Sequence, residues 1–309
     1  MQLNHPHKEF IDKNGYTIIN CESCGYWHVH PMPTNEELNL HYEQNYYETL
    51  GDNRSMTDKL NDPDGFYKIQ YEDRLRLIKN HLSDDSPRSI LDIGAGYGDF
   101  LRFMKSAGWE TQGLEPSKHA YKLIEDREEL GIKCANIDEL KSLGLKPASI
   151  VTINNVLEHL NSPQGILETI RKYLLLPNGI IFAAVPNDFS VLQNLLMQTV
   201  LKDKPDKQNY WAHPPEHLNY WSHKTIAGFL QKCEFEIEFL TMDFPMEIFP
   251  LMGEDYISKP DVGNNAHLKR VSFEKYLHQA HADVLKDSLY LLFAQLGIGR
   301  NMYIVAKPA

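Results

Sequence analysis

The chain has 309 residues, 42% of them hydrophobic and 24% charged, with a formal net charge of −11 at pH 7. That length suits one large α/β domain with appendages, and the acidic balance argues against broad nonspecific binding to nucleic acid. No apolar run approaches the length of a bilayer span, and MQLNHPHKEF at the N-terminus lacks the basic cap and apolar centre of a signal peptide, so the expectation is a cytoplasmic protein with no membrane partner.

The first 48 residues are rich in His, Pro and Tyr and hold no long periodic segment. Within them Cys21-Glu-Ser-Cys24-Gly25 has the spacing of a zinc knuckle, where glycine relieves crowding as backbone amides turn toward the thiolates. A closed site needs two further ligands; His5 and His7 lie upstream, and His28 and His30 just downstream. Four cysteines, two of them in this pair, fit a reducing compartment better than a disulfide framework. Cys134 and Cys233 suit the role of small buried hydrophobes. Thr34-Asn35-Glu36-Glu37 has capping-box spacing and predicts a short helix carrying Leu38, Leu40 and Tyr42. Residues 49–65 are polar, with Gly51, Pro63 and Gly65, and suggest a connector into a main domain over 66–309. That domain opens with helical spacing from Phe66 to Leu82.

Ser89 to Leu101, SILDIGAGYGDFL, is the most informative stretch. Ile90, Leu91 and Ile93 suit a buried parallel strand. Gly94, Gly96 and Gly98 then remove three β-carbons where the chain turns and where a ligand approaches the backbone. Asp99 stands at the helix start, with Phe100, Leu101, Phe103 and Met104 as the apolar stripe behind it. A helix N-terminus facing such a turn favours anionic or hydrogen-bond-accepting groups. Alone, the glycine triplet also suits an ordinary tight strand-to-helix turn. Residues 111–115 add a second short strand ending in an acid, and Glu115 at its tip is placed to accept both hydroxyls of a ribose. Asp92 is placed to hold the ammonium of an amino acid. The spacing is G-x-G-x-G with Asp99 where the dinucleotide fingerprint wants glycine, which disfavours an NAD-dependent oxidoreductase. Two acids around three glycines suit S-adenosylmethionine (SAM) better.

At these residues the sequence resembles the class I SAM-dependent methyltransferases, whose first motif is (D/E)-x-G-x-G-x-G. The resemblance runs from about Leu75 to Lys307. It implies a doubly wound, mostly parallel seven-stranded sheet, with a small N-terminal knuckle and a helical insertion before the last strand. Asn136 and Ile137 fall where the family places its adenine contacts. SIVTINNVLEHL (149–160) matches the fourth motif, whose strand ends at Asn154 beside the reacting methyl group. Leu176-Pro177-Asn178-Gly179 and the IIFAAVPN run match the fifth strand, and Met302 to Lys307 the final one, which the family runs antiparallel at the sheet edge. Residues 187–221 are expected to form a lid and 243–298 the helical insertion.

The resemblance also implies roles. Many relatives of this type carry a zinc ribbon followed by P-x-P, E-L and Y-Y, here Pro31-Met32-Pro33, Glu37-Leu38 and Tyr46-Tyr47. Their first ligand pair corresponds to His5-Pro6-His7, so the implied zinc ligands are Cys21, Cys24, His5 and His7. After the fourth strand the chain is expected to turn into a helix that brings Glu158 and His159 to the methyl-transfer site. An alcohol acceptor benefits from a base there, and histidine is suited to it; the same residue also suits a plain helix cap. Pro215-Glu216-His217 follows the lid and is expected to return His217 toward that pair. Related O-methyltransferases hold a divalent metal through E-x-x-E-H, but Asn155 replaces the first Glu, which favours metal-free acid–base use of His159 and His217. Tyr210, Trp211, Tyr220 and Trp221 suit either a ring-stacking wall or the lid's own packing. The implied activity is methylation of a hydroxyl on a small metabolite, with a sugar or sugar-linked precursor in view. A C-methyltransferase on a nucleotide-linked sugar and a non-catalytic SAM-binding module are the alternatives. No feature of the sequence addresses the oligomeric state.

Overall fold

The computed structural model describes residues 5–34, 36–38 and 65–309. Apart from Gly65, the connector expected over 49–65 lies outside the described residues, as do Leu40, Tyr42 and Tyr46-Tyr47. In chain order the strands are β1 (His7–Lys13), β2 (Tyr16–Cys21), β3 (Tyr26–Val29), β4 (Ser89–Ile93), β5 (Glu110–Glu115), β6 (Ile132–Cys134), β7 (Ala148–Asn154), β8 (Leu175–Pro186), β9 (Asn219–Tyr220), β10 (Phe235–Met242) and β11 (Asn301–Pro308). The chain divides into two compact units. One gathers the N-terminal segment with Val185–Phe229 and Leu240–Tyr303; the other takes 65–184, Leu230–Phe239 and Ile304–Ala309. Among the described residues no helix is long and apolar enough to cross a membrane.

The frame of the second unit is a seven-stranded sheet in the order β10-β11-β8-β7-β4-β5-β6. The pairs β4–β5, β4–β7, β5–β6 and β7–β8 are parallel. Their runs of Ile, Leu, Val and Ala are buried, as strands covered on both faces require. Each fully buried side chain of this kind is worth about 1.5–3 kcal/mol, which makes the central strands a stiff platform. β4 has β5 on one side and β7 on the other, so the strand order reverses there, and ligands collect at such a reversal. α1 (Phe66–His81) and α2 (Asp99–Ser106) belong to the same unit. The final strand does not lie at the sheet edge as expected: β11 sits between β8 and β10, and β10 takes the edge. Cys233 is buried, but Cys134, at the end of β6, is exposed rather than packed inside.

The first unit contains a four-stranded sheet, β1-β2-β3-β9. β1 and β2 close across Asn14-Gly15, both at positive φ (53° and 80°), with Lys13 opposite Tyr16. Two left-handed residues give the tight hairpin a twist that matches its strands. Thr34 and Glu37 make the reciprocal bonds of the expected capping box, Glu37 N donating to Thr34 Oγ1 at 3.2 Å and Thr34 N to Glu37 Oε2 at 2.8 Å. β9 comes from the segment expected to be a lid and pairs with β3, Trp27 opposite Tyr220. This pairing groups the N-terminal strands with residues far along the chain. The insertion is helical as expected, with α3 (Pro260–Gln279) and α4 (Asp283–Leu296).

Candidate active site and metal centre

β4 ends at Ile93, opposite Leu114 on one side and Ile153 on the other. Gly94, Glu115 and Asn154, one residue beyond that row, therefore share the C-terminal edge of the parallel sheet. The amides of Gly94 and Ala95 donate to the Leu114 carbonyl at 2.8 and 2.9 Å and tie the turn to β5. Gly94 and Gly96 are left-handed, at φ +76° and +56°. A Cβ on Gly94 would lie 2.5 Å from Val156 Cγ2, whereas one on Gly96 would meet nothing within 4 Å. The first glycine is required by a close neighbour; the second leaves the turn open. Gly98 caps α2, and Asp99 is its first residue.

Asp92 is buried on β4, and Thr152, its partner on β7, donates a hydroxyl to Asp92 Oδ1 at 2.6 Å. The Asn154 side chain lies close enough to Asp92 to favour its ionised form as a donor. A carboxylate only accepts, so the Asn154 amide nitrogen is the donor. Asn154 Oδ1 is then left buried with no hydrogen-bond partner. Burial pushes the Asp92 carboxyl up to about 7, against the pull of Thr152, the Arg74 charge and Asn154, with Glu115 adding to the rise. Burial likewise pushes Glu115 up to about 7, opposed by backbone amides that donate to its oxygens, Ser117 N to Oε1 at 2.8 Å and Gly96 N to Oε2 at 2.7 Å. The edge is rich in acceptors and suits a ligand that brings hydroxyl and ammonium donors. Arg74, on α1, lies with its guanidinium 5.8 Å from the Tyr71 and Phe100 ring centres. Neither Thr152 nor Arg74 is singled out by the sequence motifs. Beyond β6, whose Cys134 lies opposite Glu115, Asn136 is exposed and Ile137 half-buried.

After Asn154 the chain passes through Asn155 at φ +53°, whose amide donates to the Ala184 carbonyl at 2.8 Å. It then makes a single 3₁₀ turn, Leu157–His159, in place of the expected helix. Glu158 is buried and His159 half-buried, with His159 Nε2 3.9 Å from Glu158 Oε1. That is an electrostatic contact rather than a hydrogen bond. His217 belongs to the other unit. There Tyr220 Oη donates to its carbonyl at 2.7 Å, and its ring meets those of His213 and Tyr220. In that unit Trp211, Tyr220 and Trp221 are 5%, 1% and 1% exposed. Tyr220 packs with Ile18, Val29, Ala212 and Leu218, and Trp211 with Leu196, Leu201 and Ile257. Tyr220 thus shares a core with the N-terminal strands, Trp221 meets Tyr26, and Tyr210 is half-buried against the Trp211 cluster, which favours packing over a stacking wall.

The first unit also gathers His5, Cys21, Cys24 and His28, whose ligand atoms all lie within 4.8 Å of one another. Gly25, at φ +83°, lets the chain turn, and the Cys24 amide points at Cys21 Sγ, 3.4 Å away. His5 Nδ1 lies 3.4 Å from Cys21 Sγ and 3.7 Å from Cys24 Sγ. His28 Nδ1 lies 2.8 Å from the Val29 carbonyl, which can only accept, so Nδ1 carries the proton. Nε2 therefore bears the lone pair, and it is buried with no hydrogen-bond partner. A carbonyl-fixed tautomer with the other nitrogen open is how a metal-ligating imidazole is held. His7 stands outside the group: it opens β1, is exposed, and its Nδ1 bonds to the His5 carbonyl at 3.0 Å. His28, facing inward on β3, takes the place that sequence order gives to His7.

The family model for the methyltransferase domain matches residues 67–239. The ubiquinone biosynthesis O-methyltransferase of Idiomarina loihiensis is 28% identical over 134 residues, 41% of this chain and 55% of that protein. The enzyme of the same name from Caulobacter vibrioides is 31% identical over 104 residues, 32% and 41% of the two chains. The chain spans about half the length of these curated relatives. Among solved structures, the plantazolicin methyltransferase BamL, in complex with a triazolic desmethylPZN analog and SAH, superposes with a TM-score of 0.52 at 14% identity. That match covers 87% of this chain and 93% of the other, and at this identity the likeness is one of fold.

Proposed function

The chain belongs to the methyltransferase domain family, that of the SAM-dependent class I enzymes, and from that premise we propose that it transfers a methyl group from SAM to a hydroxyl of a small-molecule acceptor. The observation that carries this reading is the acceptor-lined turn at the edge of the parallel sheet, with His159 one short turn beyond Asn154. In this proposal Asp92 and Asn154 Oδ1 seat the ammonium group. Glu115 takes the ribose hydroxyls through lone pairs that Gly96 and Ser117 leave over. Gly94, Gly96 and Gly98 allow close approach, and Asn136 with Ile137 lines the adenine. The fit rests on the unpartnered Asn154 Oδ1 and on the open side of Gly96.

When bound, SAM supplies an electrophilic methyl group. His159 takes the proton of the attacking hydroxyl, with the buried Glu158 carboxyl 3.9 Å from its Nε2. No step is assigned to His217, which belongs to the other compact unit. The names of the two relatives support oxygen as the accepting atom; they refer to ubiquinone biosynthesis and lend no support to a sugar. Incubation with methyl-¹³C SAM and a panel of phenols, catechols and sugars tests the proposal by carbon NMR of the product. A labelled methoxy carbon is expected. A labelled C-methyl carbon would make the protein a C-methyltransferase, and SAM binding with no transfer to any acceptor would make it a binding module.

The same proposal includes a structural zinc ion held by Cys21, Cys24, His5 and His28, supported by the open, buried Nε2 of His28. None of the four cysteines forms a disulfide, which supports a cytoplasmic setting.

A further inference from the structure

β7 carries two interior hydroxyls, Ser149 and Thr152, in an otherwise apolar run that ends at Asn154. Ser149 Oγ serves the backbone, donating to the Pro87 carbonyl at 2.6 Å. Thr152 is 0% exposed and spends its hydroxyl on a side chain, Asp92 Oδ1 at 2.6 Å. A buried hydroxyl is costly unless bonded, and valine would fill the same β-branched position without that cost. The register places Thr152 directly opposite Asp92 on the neighbouring strand.

We propose that Thr152 is a positioning residue for the cofactor: its hydroxyl locks the Asp92 carboxylate so that Oδ2, with Asn154 Oδ1, forms a two-acceptor seat for the ammonium group of SAM. The inference rests on the SAM-binding reading given above. A carboxylate free to rotate about its last bond would offer either oxygen in varied directions; one pinned at Oδ1 presents Oδ2 in a fixed direction. The bond also favours the ionised acid. The charged and titratable groups facing Asp92 are Arg74 and Tyr71 from α1 and Glu115 from β5, Arg74 favouring and Glu115 opposing its charge, while Thr152 and Asn154 donate to it from β7. With Asp92 pushed up to about 7 by burial, a lost donor leaves it protonated further into the neutral range, where the proton competes with the ammonium group.

Calorimetric titration of the full chain with SAM, below, at and above pH 7, tests this. Thr152→Val is expected to weaken SAM about 10- to 100-fold at neutral pH, the range for a hydrogen bond to a charged group. The deficit should shrink as pH rises, and Thr152→Ser should restore most of the affinity. In an Asp92→Asn background the valine should cost no further affinity. Thr152→Ala removes the same hydroxyl and replaces the valine if that variant does not fold. Native-like affinity in Thr152→Val alongside weak binding in Asp92→Asn would overturn the inference and leave the SAM reading standing. Native-like affinity in Asp92→Asn would overturn the inference by removing Asp92 from the ammonium seat, whereas no SAM binding by the parent chain would overturn the SAM reading itself. A loss that is equal at every pH and persists in the Asp92→Asn background would mark Thr152 as packing and also overturn the inference.

Discussion

Replacing Glu115 with glutamine asks whether this side chain matters as an acid. Its two oxygens each accept from a backbone amide, Oε2 from Gly96 at 2.7 Å and Oε1 from Ser117 at 2.8 Å. Each carboxylate oxygen keeps a second lone pair for a ribose hydroxyl. A glutamine of the same shape has one oxygen and one NH₂, so in either orientation one backbone N–H faces another donor. The variant loses an acceptor for the ligand and orphans a buried amide. A hydrogen bond to a charged group is worth about 1.5–3 kcal/mol, and a buried orphan costs about 1–3 kcal/mol. The first loss falls on binding and should raise the SAM dissociation constant about 10- to 100-fold. The second falls on the free protein and should lower its melting temperature. The pH dependence has a definite sign. Burial raises Glu115 above the ordinary carboxylate range, to about 7, so its contribution to stability is present in acid and lost as pH rises through 7. The melting deficit of Glu115→Gln relative to the parent should therefore narrow from acid to alkaline pH. Calorimetry with SAM and thermal melts across that range read both effects. Native affinity in the glutamine variant would refute the argument that Glu115 is the ribose acceptor.

His159→Ala should bind SAM normally yet turn over about 10²–10⁴-fold more slowly, and its pH–rate profile should lack the acid limb of the parent; full turnover on the true acceptor would reduce His159 to scaffolding. Gly94→Ala places a Cβ 2.5 Å from Val156 Cγ2 at a φ of +76°, and should lose about 1–3 kcal/mol in a denaturant titration along with SAM binding. Elemental analysis of protein purified without chelator should find zinc in His7→Ala and none in His28→Ala, because His28, and not His7, joins His5 and the two thiolates; the reverse result would return the fourth ligand to His7.

The glycine turn was legible because its information is local. A strand, a turn and a helix start follow one another within SILDIGAGYGDFL, and the structure has β4, left-handed glycines and α2 in that order. The hairpin at Asn14-Gly15 is equally local, since that dipeptide alone is a strong turn signal. His28 needed a different cue. His28 lies on β3, which ends at Val29, and only the three-dimensional grouping with His5, Cys21 and Cys24 singles out its imidazole as the fourth ligand. Thr152 needed more, since a polar residue in an apolar strand names no partner until the β4–β7 register sets it opposite Asp92. The grouping of the N-terminal strands with β9 was out of reach, because Trp27 and Tyr220 meet through pairing that no local pattern encodes. Such non-local pairing also gives the segment expected to be a lid a strand, β9, and a core shared with the N-terminal strands.

The placement of the two kinds of side chain follows from what each must do. Asp92, Glu115 and Asn154 sit on or at the ends of strands whose neighbours are fully buried, so their oxygens are fixed by the sheet itself. A seat for a cofactor gains from such rigidity, because acceptors already in position need not be ordered on binding. His159 sits instead on a single 3₁₀ turn, where its backbone N–H donates to the Val156 carbonyl at 3.0 Å and the Glu158 carboxyl lies beside its ring. One short turn fixes a ring less firmly than a strand, and a proton acceptor tolerates that better than a seat does. Proton transfer needs reach of the hydroxyl, whereas in-line displacement demands alignment of donor and acceptor atoms. Mutations on the sheet edge should accordingly act on affinity, and mutations on the turn on rate.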